Sequence, residues 1–212
     1  MKLAVIPHND DEAIWCSFTL MKERPMVVIV FDSYVQVQRG NPGADAQTRR
    51  FETLHALLEL GLIENTDVHP SQVTFLGLRD DAPDYGYLRA WLKQRRDDGQ
   101  FDCIICPAWE QDGHEQHNGV ARVCRDLWPA EQRTEYLTYT RTGGRSRAIV
   151  DQEKMCLTPG VEVIPTPDMI GRKHRALACY KSQMEVENCR SWFMGPINEY
   201  LALPPAQDGA KP

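Results

Sequence analysis

Apolar residues follow two alternating patterns along the chain. Short continuous apolar runs, such as those at residues 3–6 and 26–31, are typical of strands that are buried on both faces of a sheet. Between the runs, apolar residues recur every three or four positions, as expected of helices that bury one face. The alternation predicts an α/β protein with a Rossmann-like, doubly wound and mostly parallel sheet that carries helices on both faces.

We predict six strands and five helices in a single domain. The strands are expected at residues 3–6, 26–31, 73–76, 101–106, 135–140 and 161–164, and the helices at 13–23, 45–60, 87–96, after the polar segment 112–118 to about 128, and 168–184. The long polar loop at 33–43 is of the kind that often borders a site. We expect the domain to span residues 1–200 and a disordered tail to occupy 203–212.

Composition argues against some classes of protein, such as nucleic-acid-binding and membrane proteins, but does not identify a function. The 212 residues are 42% apolar and 25% charged, as in ordinary soluble domains. The net charge of −6 argues against a nucleic-acid partner, since such proteins usually carry a basic face. No apolar run is long enough to cross a bilayer, and the first run, which ends at Pro7, is too short for a signal peptide. We therefore expect a cytoplasmic protein, and the seven cysteines fit the free thiols of a reducing compartment.

Polar clusters follow the first and the fourth predicted strand. The first cluster is P-H-N-D-D-E at residues 7–12, and the second is D-G-H-E-Q-H-N at residues 112–118. In the commonest strand order of doubly wound sheets these two strands are neighbours, and their carboxyl ends border one cleft. We therefore expect the two clusters to face each other across that cleft. Each cluster also has a simpler interpretation, because acidic residues often begin a helix and an isolated H-x-x-H is often solvated.

The residues of the two clusters suit a metal-dependent hydrolase. Catalytic zinc takes three nitrogen or oxygen ligands from the protein and keeps one position for water. His8, Asp11 and His117 would supply such a set. Asp10 would then act as the general base, and His114, almost one helical turn before His117, would assist the developing oxyanion or the leaving amine.

The chain also resembles a known family up to about residue 184. Residues 7–12 are similar to the P-H-P-D-D-E motif of the PIG-L/LmbE-like zinc-dependent N-deacetylases, and H-E-Q-H at residues 114–117 is similar to the family's H-P-D-H. Three further family patterns match in order, namely R-x-x-E…A…L-G at 49–61, L-G-L-x-D at 76–80 and K-x-x-A…S-Q at 173–183. The resemblance implies that the predicted domain is a deacetylase domain of this family.

What the resemblance implies agrees with the chemistry of the residues. Known members remove acetyl groups from N-acetylglucosamine-type amino sugars or cleave related amides, so the expected substrate is a small amino-sugar conjugate. By the resemblance, His8, Asp11 and His117 match zinc ligands, Asp10 matches the general base, and His114 matches the imidazole that stabilises the tetrahedral intermediate. The expected activity is metal-dependent hydrolysis of a linear amide.

Two positions depart from the family motifs. Asn9 replaces a proline, which we expect to matter little for metal binding, and Gln116 replaces the aspartate of H-P-D-H. A carboxylate at that place could hold His114 protonated, whereas the neutral amide cannot supply the charge. We therefore expect His114 to be neutral more often at pH 7, unless Asp112 or Glu115 takes over this role.

Two basic features lie near the predicted cleft. Arg49 matches a family arginine that is associated with substrate binding, and its alternative is a surface ion pair with Glu52. The loop at residues 141–147 carries three arginines and could hold a phosphate or nucleotide part of a substrate, although a solvated loop is the simpler explanation.

Two hypotheses from other classes compete with the enzyme. A phosphoacceptor signalling module would also place an acidic pair after its first strand, but it leaves His8 and the two later histidines without a role. A metal-free binding module on the same fold is the second rival. The sequence leaves open the sugar, the aglycone, the acyl group and the oligomeric state, with a homo-oligomer among the candidates.

Overall fold

A computed structural model describes residues 1–33, 45–66, 72–111, 113–138, 160–184, 193 and 198–203. These residues form a seven-stranded sheet in the order β3-β2-β1-β4-β5-β7-β6. The strands are β1 (Lys2–His8), β2 (Met26–Ser33), β3 (Val73–Arg79), β4 (Cys103–Pro107), β5 (Arg133–Tyr136), β6 (Gly160–Glu162) and β7 (Tyr200–Ala202). The helices are α1 (Asp11–Ile14), α2 (Ser17–Glu23), α3 (Ala46–Glu59), α4 (Tyr85–Asp97), α5 (Glu115–Leu127), α6 (Pro167–Leu177) and α7 (Lys181–Met184), with a 3₁₀ turn at Ala130–Gln132.

The sheet is mostly parallel, as the sequence predicts. β1 pairs in parallel with β2 and β4, β2 with β3, and β4 with β5. β7 runs antiparallel to both β5 and β6, and the sequence pattern did not predict it. The predicted fifth strand at 135–140 is displaced, since β5 begins at Arg133 and ends at Tyr136.

Two predicted helices are each divided into two. The helix expected at 13–23 is interrupted at Trp15 and Cys16, and the helix expected at 168–184 ends at Leu177 before the short α7 begins. At the first break Cys16 leaves the helical region, with φ −141° and ψ 16°. Hydrophobic periodicity continues across such a break, so the pattern alone gives one continuous helix.

Helices cover both faces of the sheet because β1 sends alternate side chains to opposite sides. Leu3 and Val5 pack with residues of α4 and α5, whereas Ala4 and Ile6 pack with residues of α3 and α6. Full burial of one such aliphatic side chain contributes about 1.5–3 kcal/mol. This two-sided core holds the carboxyl end of β1 rigidly at the edge where the first polar cluster begins.

Several predictions fall on parts of the chain that the structure leaves undescribed. They concern the loop at 33–43 beyond its first residue, Asp112, the basic loop at 141–147 and the tail from residue 204 on. The domain limits at 1–200 stay a prediction. In the described segments, no helix combines the length and the apolar character that a bilayer crossing requires.

Candidate metal and catalytic site

The two polar clusters meet at the carboxyl edge of β1 and β4. These strands are hydrogen-bonded neighbours, as the expected strand order requires. His8 is the last residue of β1, Asp11 is the first residue of α1, and His117 lies in the first turn of α5. The two clusters therefore face each other as expected from strand order, and all three side chains converge on one place.

Three donor atoms form a compact group that we call the donor triangle: His8 Nδ1, Asp11 Oδ2 and His117 Nε2. The sides of this triangle measure 3.1 Å between His8 and Asp11, 3.1 Å between His8 and His117, and 3.0 Å between His117 and Asp11. In a tetrahedral zinc site with bonds of about 2.0–2.1 Å, neighbouring ligand atoms lie about 3.3 Å apart. The donor triangle thus has the chemistry and nearly the dimensions of one face of such a site.

The donor triangle is held by neighbouring groups. The backbone N–H of His8 donates to Asp11 Oδ2 at 2.9 Å, and His117 Nδ1 lies 3.2 Å from Thr138 Oγ1. Burial would raise the pKa of Asp11, but the adjacent His117 and His8 outweigh burial and hold that pKa well below its usual range. Asp11 is therefore an ionised carboxylate, the form that binds a cation.

His114 lies beside the donor triangle at the start of α5. Together with His8 and His117 it forms a cluster whose nitrogen donors lie within 4.8 Å of one another and could hold a metal ion. His114 is the N-cap residue of α5, where its Nδ1 accepts a hydrogen bond from the backbone N–H of Gln116 at 3.3 Å. A neutral imidazole with an acceptor at Nδ1 carries its proton on Nε2, so His114 presents a donor.

Asp10 occupies a strained position between the first strand and α1. Its φ of 121° lies in the region that non-glycine residues rarely adopt, at a typical cost of about 1–3 kcal/mol, and such strain clusters at functional sites. Burial raises the pKa of Asp10 to about 6, although the nearby guanidinium of Arg49 opposes this rise. A carboxyl group with this pKa can exchange protons close to neutral pH.

Arg49 is placed against Asp10 rather than on an open surface. Its side chain is 1% exposed, and its guanidinium donates to Asp10 Oδ2 at 2.9 Å and to the carbonyl oxygen of Asn9. Glu52 lies 3.9 Å away, so this ion pair is buried and is not the surface pair that the sequence also allowed. The cation also lies over the ring of Tyr180, with 5.5 Å to the ring centroid.

The side chain of Gln116 contacts His8 and Asp80. Gln116 Oε1 lies 2.6 Å from His8 Nε2, and Gln116 Nε2 donates to the backbone carbonyl of Asp80. The sequence directed attention to an effect of Gln116 on His114, whereas the structure links the amide to another histidine. Sequence reasoning also missed Thr138. No motif marks this residue, because it reaches His117 only when the chain has folded.

Comparisons with known proteins agree with this fold. The model of the family described as PIG-L, GlcNAc-PI de-N-acetylase, matches residues 3–128. No curated protein sequence matches the chain. Among solved structures, N,N′-diacetylchitobiose deacetylase from Pyrococcus horikoshii, in complex with its inhibitor MPG, has a TM-score of 0.65 at 17% identity over 96% of this chain and 83% of its own.

Two further solved structures have the same fold. The conserved protein TT1542 from Thermus thermophilus has a TM-score of 0.56 at 18% identity and covers 96% of this chain and 94% of its own. GalB, the 4-carboxy-2-hydroxymuconate hydratase from Pseudomonas putida, has a TM-score of 0.60 at 12% identity over 100% of both chains. Because a hydratase and a deacetylase both adopt this fold, the fold does not select the reaction, and function must be argued from the site.

Proposed function

Since the chain belongs to the PIG-L family of GlcNAc-PI de-N-acetylases, we propose that it is a zinc-dependent hydrolase that removes the acyl group, in the simplest case acetyl, from the nitrogen of an amino sugar or its conjugate. The observation that carries the proposal is the donor triangle with the partly buried carboxyl group of Asp10 beside it. The reaction adds water across the amide and releases a free amine and a carboxylic acid.

We assign the metal to His8, Asp11 and His117. Their donor atoms lie 3.0–3.1 Å apart, and Asp11 is ionised at neutral pH. A zinc ion at this place would supply a Lewis acid for the amide carbonyl and would bring the pKa of water toward neutrality. His114, whose nitrogen also lies within the cluster, is kept for a role toward the substrate.

Asp10 takes the proton of the attacking water in this proposal. Its carboxylate is adjacent in sequence to a proposed ligand, and its pKa of about 6 lies close to the pH at which a general base works best. The hydrogen bond from Arg49 fixes one carboxylate oxygen, which leaves the other for the proton. The abstracted proton can then be passed to the departing amine.

His114 stabilises the tetrahedral intermediate. The bond that its Nδ1 accepts from the helix backbone directs the Nε2–H outward as a donor. A donor that faces the developing oxyanion favours the transition state over the ground state, where the carbonyl oxygen carries less charge.

The proposal is tested by metal analysis and by acetate release. Protein purified without chelators should contain close to one zinc per chain, and N-acetylglucosamine conjugates, nucleotide-linked and lipid-linked ones included, should be screened for released acetate. Asp10→Asn should keep the metal and lower turnover by about 10²–10⁴-fold, which is the typical contribution of a general base. The matched control is Asp126→Asn, since Asp126 lies in an exposed ion pair with Arg89.

Three outcomes would contradict the proposal or one of its assignments. Absence of bound zinc would favour the metal-free binding or signalling module. Loss of metal in Asp10→Asn together with its retention in Asp11→Asn would exchange the two roles. Turnover of Asp10→Asn equal to that of the control would remove Asp10 from the mechanism.

A further inference from the structure

Gln116 links the two polar clusters through a side-chain amide with a defined orientation. It lies half-buried in the first turn of α5, between His114 and His117 in sequence. One end of the amide meets the imidazole of His8 and the other end meets the backbone of the turn that follows β3. The H-E-Q-H motif itself does not indicate that Gln116 contacts His8 or the turn after β3.

The contact with Asp80 decides which way the amide points. A backbone carbonyl oxygen can only accept a hydrogen bond, so the NH₂ group of Gln116 must face the Asp80 carbonyl. The carbonyl end of the amide, Oε1, is then directed to His8 Nε2 at 2.6 Å. A flipped amide would place two acceptors against each other at Asp80.

This orientation in turn decides which nitrogen of His8 carries the proton. Because Gln116 Oε1 can only accept, the neutral imidazole of His8 must donate from Nε2, and its lone pair is on Nδ1. Nδ1 is the atom of His8 that belongs to the donor triangle, 3.1 Å from Asp11 and 3.1 Å from His117. The proton is thus kept on the side of the ring that faces away from the donor triangle.

Without such an acceptor at Nε2, the other neutral tautomer of His8 becomes favourable. An imidazole with its proton on Nδ1 would donate to Asp11 Oδ2, which lies within hydrogen-bond distance. That bond would occupy one donor atom of the carboxylate and remove the lone pair of His8 at the same time. Two of the three atoms in the donor triangle would then be unavailable to a cation.

We propose that Gln116 is a positioning residue that selects the Nε2–H tautomer of His8 and so keeps the donor triangle ready for a metal ion. The inference rests on the proposed function only in taking the donor triangle as the metal site. Groups that orient a ligating histidine through its second nitrogen typically change metal affinity by 10–100-fold when removed.

The experiment compares three substitutions. Gln116→Met keeps the side-chain length and removes both hydrogen bonds, Gln116→Glu keeps an acceptor for His8, and Glu115→Met is a control at the exposed neighbouring residue. Zinc affinity is measured by competition with a chelator, and the tautomer of the neutral His8 imidazole is read in the metal-free protein at alkaline pH from the ¹⁵N chemical shifts of its ring, with the resonance assigned by a His8→Gln variant. Circular dichroism checks the fold.

We expect about 10–100-fold weaker zinc binding in Gln116→Met and a rise in the Nδ1–H form of His8, with a wild-type tautomer of His8 in Gln116→Glu and wild-type values of both quantities in Glu115→Met. An unchanged tautomer in folded Gln116→Met would overturn the inference, and so would a rise in the Nδ1–H form of His8 in Gln116→Glu, whose carboxylate still accepts from Nε2. If the wild-type protein bound no zinc, the proposed function would fail, yet the tautomer measurement would still test Gln116 on its own.

Discussion

The two parts of the chain on either side of the undescribed segment 139–159 use their polar residues differently. Residues 2–138 place polar groups at the carboxyl ends of parallel strands, where the donor triangle and Asp10 lie. Residues 160–202 place polar groups inside the protein, against the helices that carry the site. The first part carries the proposed catalytic residues, and the second part holds the helices around them in place.

The clearest example of the second use is the buried ion pair of Lys173 and Glu199. Lys173 Nζ donates to Glu199 Oε1 at 2.7 Å and to the carbonyl oxygen of Ile14 at 2.8 Å. Glu199 Oε2 accepts from the backbone N–H of Phe18 at 2.8 Å, and its Oε1 accepts from the hydroxyl of Ser17 at 2.5 Å. One ion pair therefore satisfies the last carbonyl of α1 and a free N–H of α2, which explains how the chain can break between these helices.

This difference matters because the site contains strain. Asp10 has a positive φ and precedes α1, so its geometry persists only if the surroundings fix both neighbours. α1 has only four residues and cannot be stable by its own hydrogen bonds. The C-terminal part of the chain supplies the missing constraint, since Lys173 holds the end of α1 and Tyr180 donates to Glu12 within it.

The largest difference between the two parts should be in metal content, when residues of the donor triangle are substituted. We expect Asp11→Ala and His117→Ala to lose bound zinc almost completely, because each removes one of only three proposed protein ligands. Both variants should still fold in the absence of metal. Metal analysis after dialysis, with circular dichroism as the check on folding, measures this outcome. Wild-type zinc content in both variants would refute the assigned ligands.

The next effect should come from the buried ion pair and should appear in stability rather than in metal content. Lys173→Met leaves the carboxylate of Glu199 buried without its cation, which typically costs about 3–5 kcal/mol. Urea unfolding of the metal-free protein measures this loss. The double variant Lys173→Met with Glu199→Gln should recover part of it, because a neutral amide still accepts from Phe18.

The control for this comparison is Lys93→Met. Lys93 forms an exposed pair with Asp97 within α4, and such pairs contribute about 0.3–0.5 kcal/mol. If Lys173→Met were no more destabilising than Lys93→Met, the C-terminal part would not have the supporting role assigned to it. If folded Lys173→Met lost zinc, the C-terminal part would be needed for metal binding as well as for stability, and the two functions would not be separate.

The sequence predicted the part of the site that depends on local order and missed the part that depends on distant contacts. His8, Asp10 and Asp11 follow a buried apolar run, so their place at a sheet edge could be read directly, and the neighbouring strand order brought in His117. Glu199 meets Ser17 across a separation of 182 residues, and nothing in the periodicity of either segment indicates it.

The same limit applies to the elements of the fold. The strands β1, β2 and β4 were predicted because each contains a continuous apolar run of several residues, whereas β7 and the break after α1 were not. Both depend on contacts that form only after the chain has folded. Arg49 is the corresponding case in the site: the sequence indicated the cleft but could not show that the side chain is buried against Asp10.

A smaller effect is expected where the second part supports α3. Ser182 donates to Glu52 from its hydroxyl at 2.6 Å and from its backbone N–H at 2.7 Å. Ser182→Ala removes the first bond and leaves the buried carboxylate partly unsatisfied, at a cost of about 1–3 kcal/mol. The control Thr48→Ala removes an exposed hydroxyl bond to Asp45 in the same region and should cost less. Equal urea midpoints for the two variants would argue against this support.

The smallest effect is expected at Arg49, where the two parts meet. Arg49 donates to Asp10, and its guanidinium also contacts the ring of Tyr180 and the carboxylate of Glu52. A role in substrate binding, as the sequence suggested, predicts a higher KM for Arg49→Met at every pH. A role in holding Asp10 predicts a change in the pH dependence of kcat/KM instead, so the two roles can be told apart.

The direction of that change follows from the charges. Burial raises the pKa of Asp10 and Arg49 opposes this rise, so removing the guanidinium should raise the pKa of Asp10 further. A general base works only when deprotonated, and the acid limb of the kcat/KM profile should therefore move to higher pH, by about one pH unit or more. On that limb, one pH unit corresponds to about tenfold in rate, or about 1.4 kcal/mol.

Arg50→Met is the matched control, because the next arginine pairs with Asp32 and should leave the limb in place. If the acid limb stayed fixed in Arg49→Met while KM rose, Arg49 would be a substrate-binding residue. The position of Asp10 would then depend on the backbone alone.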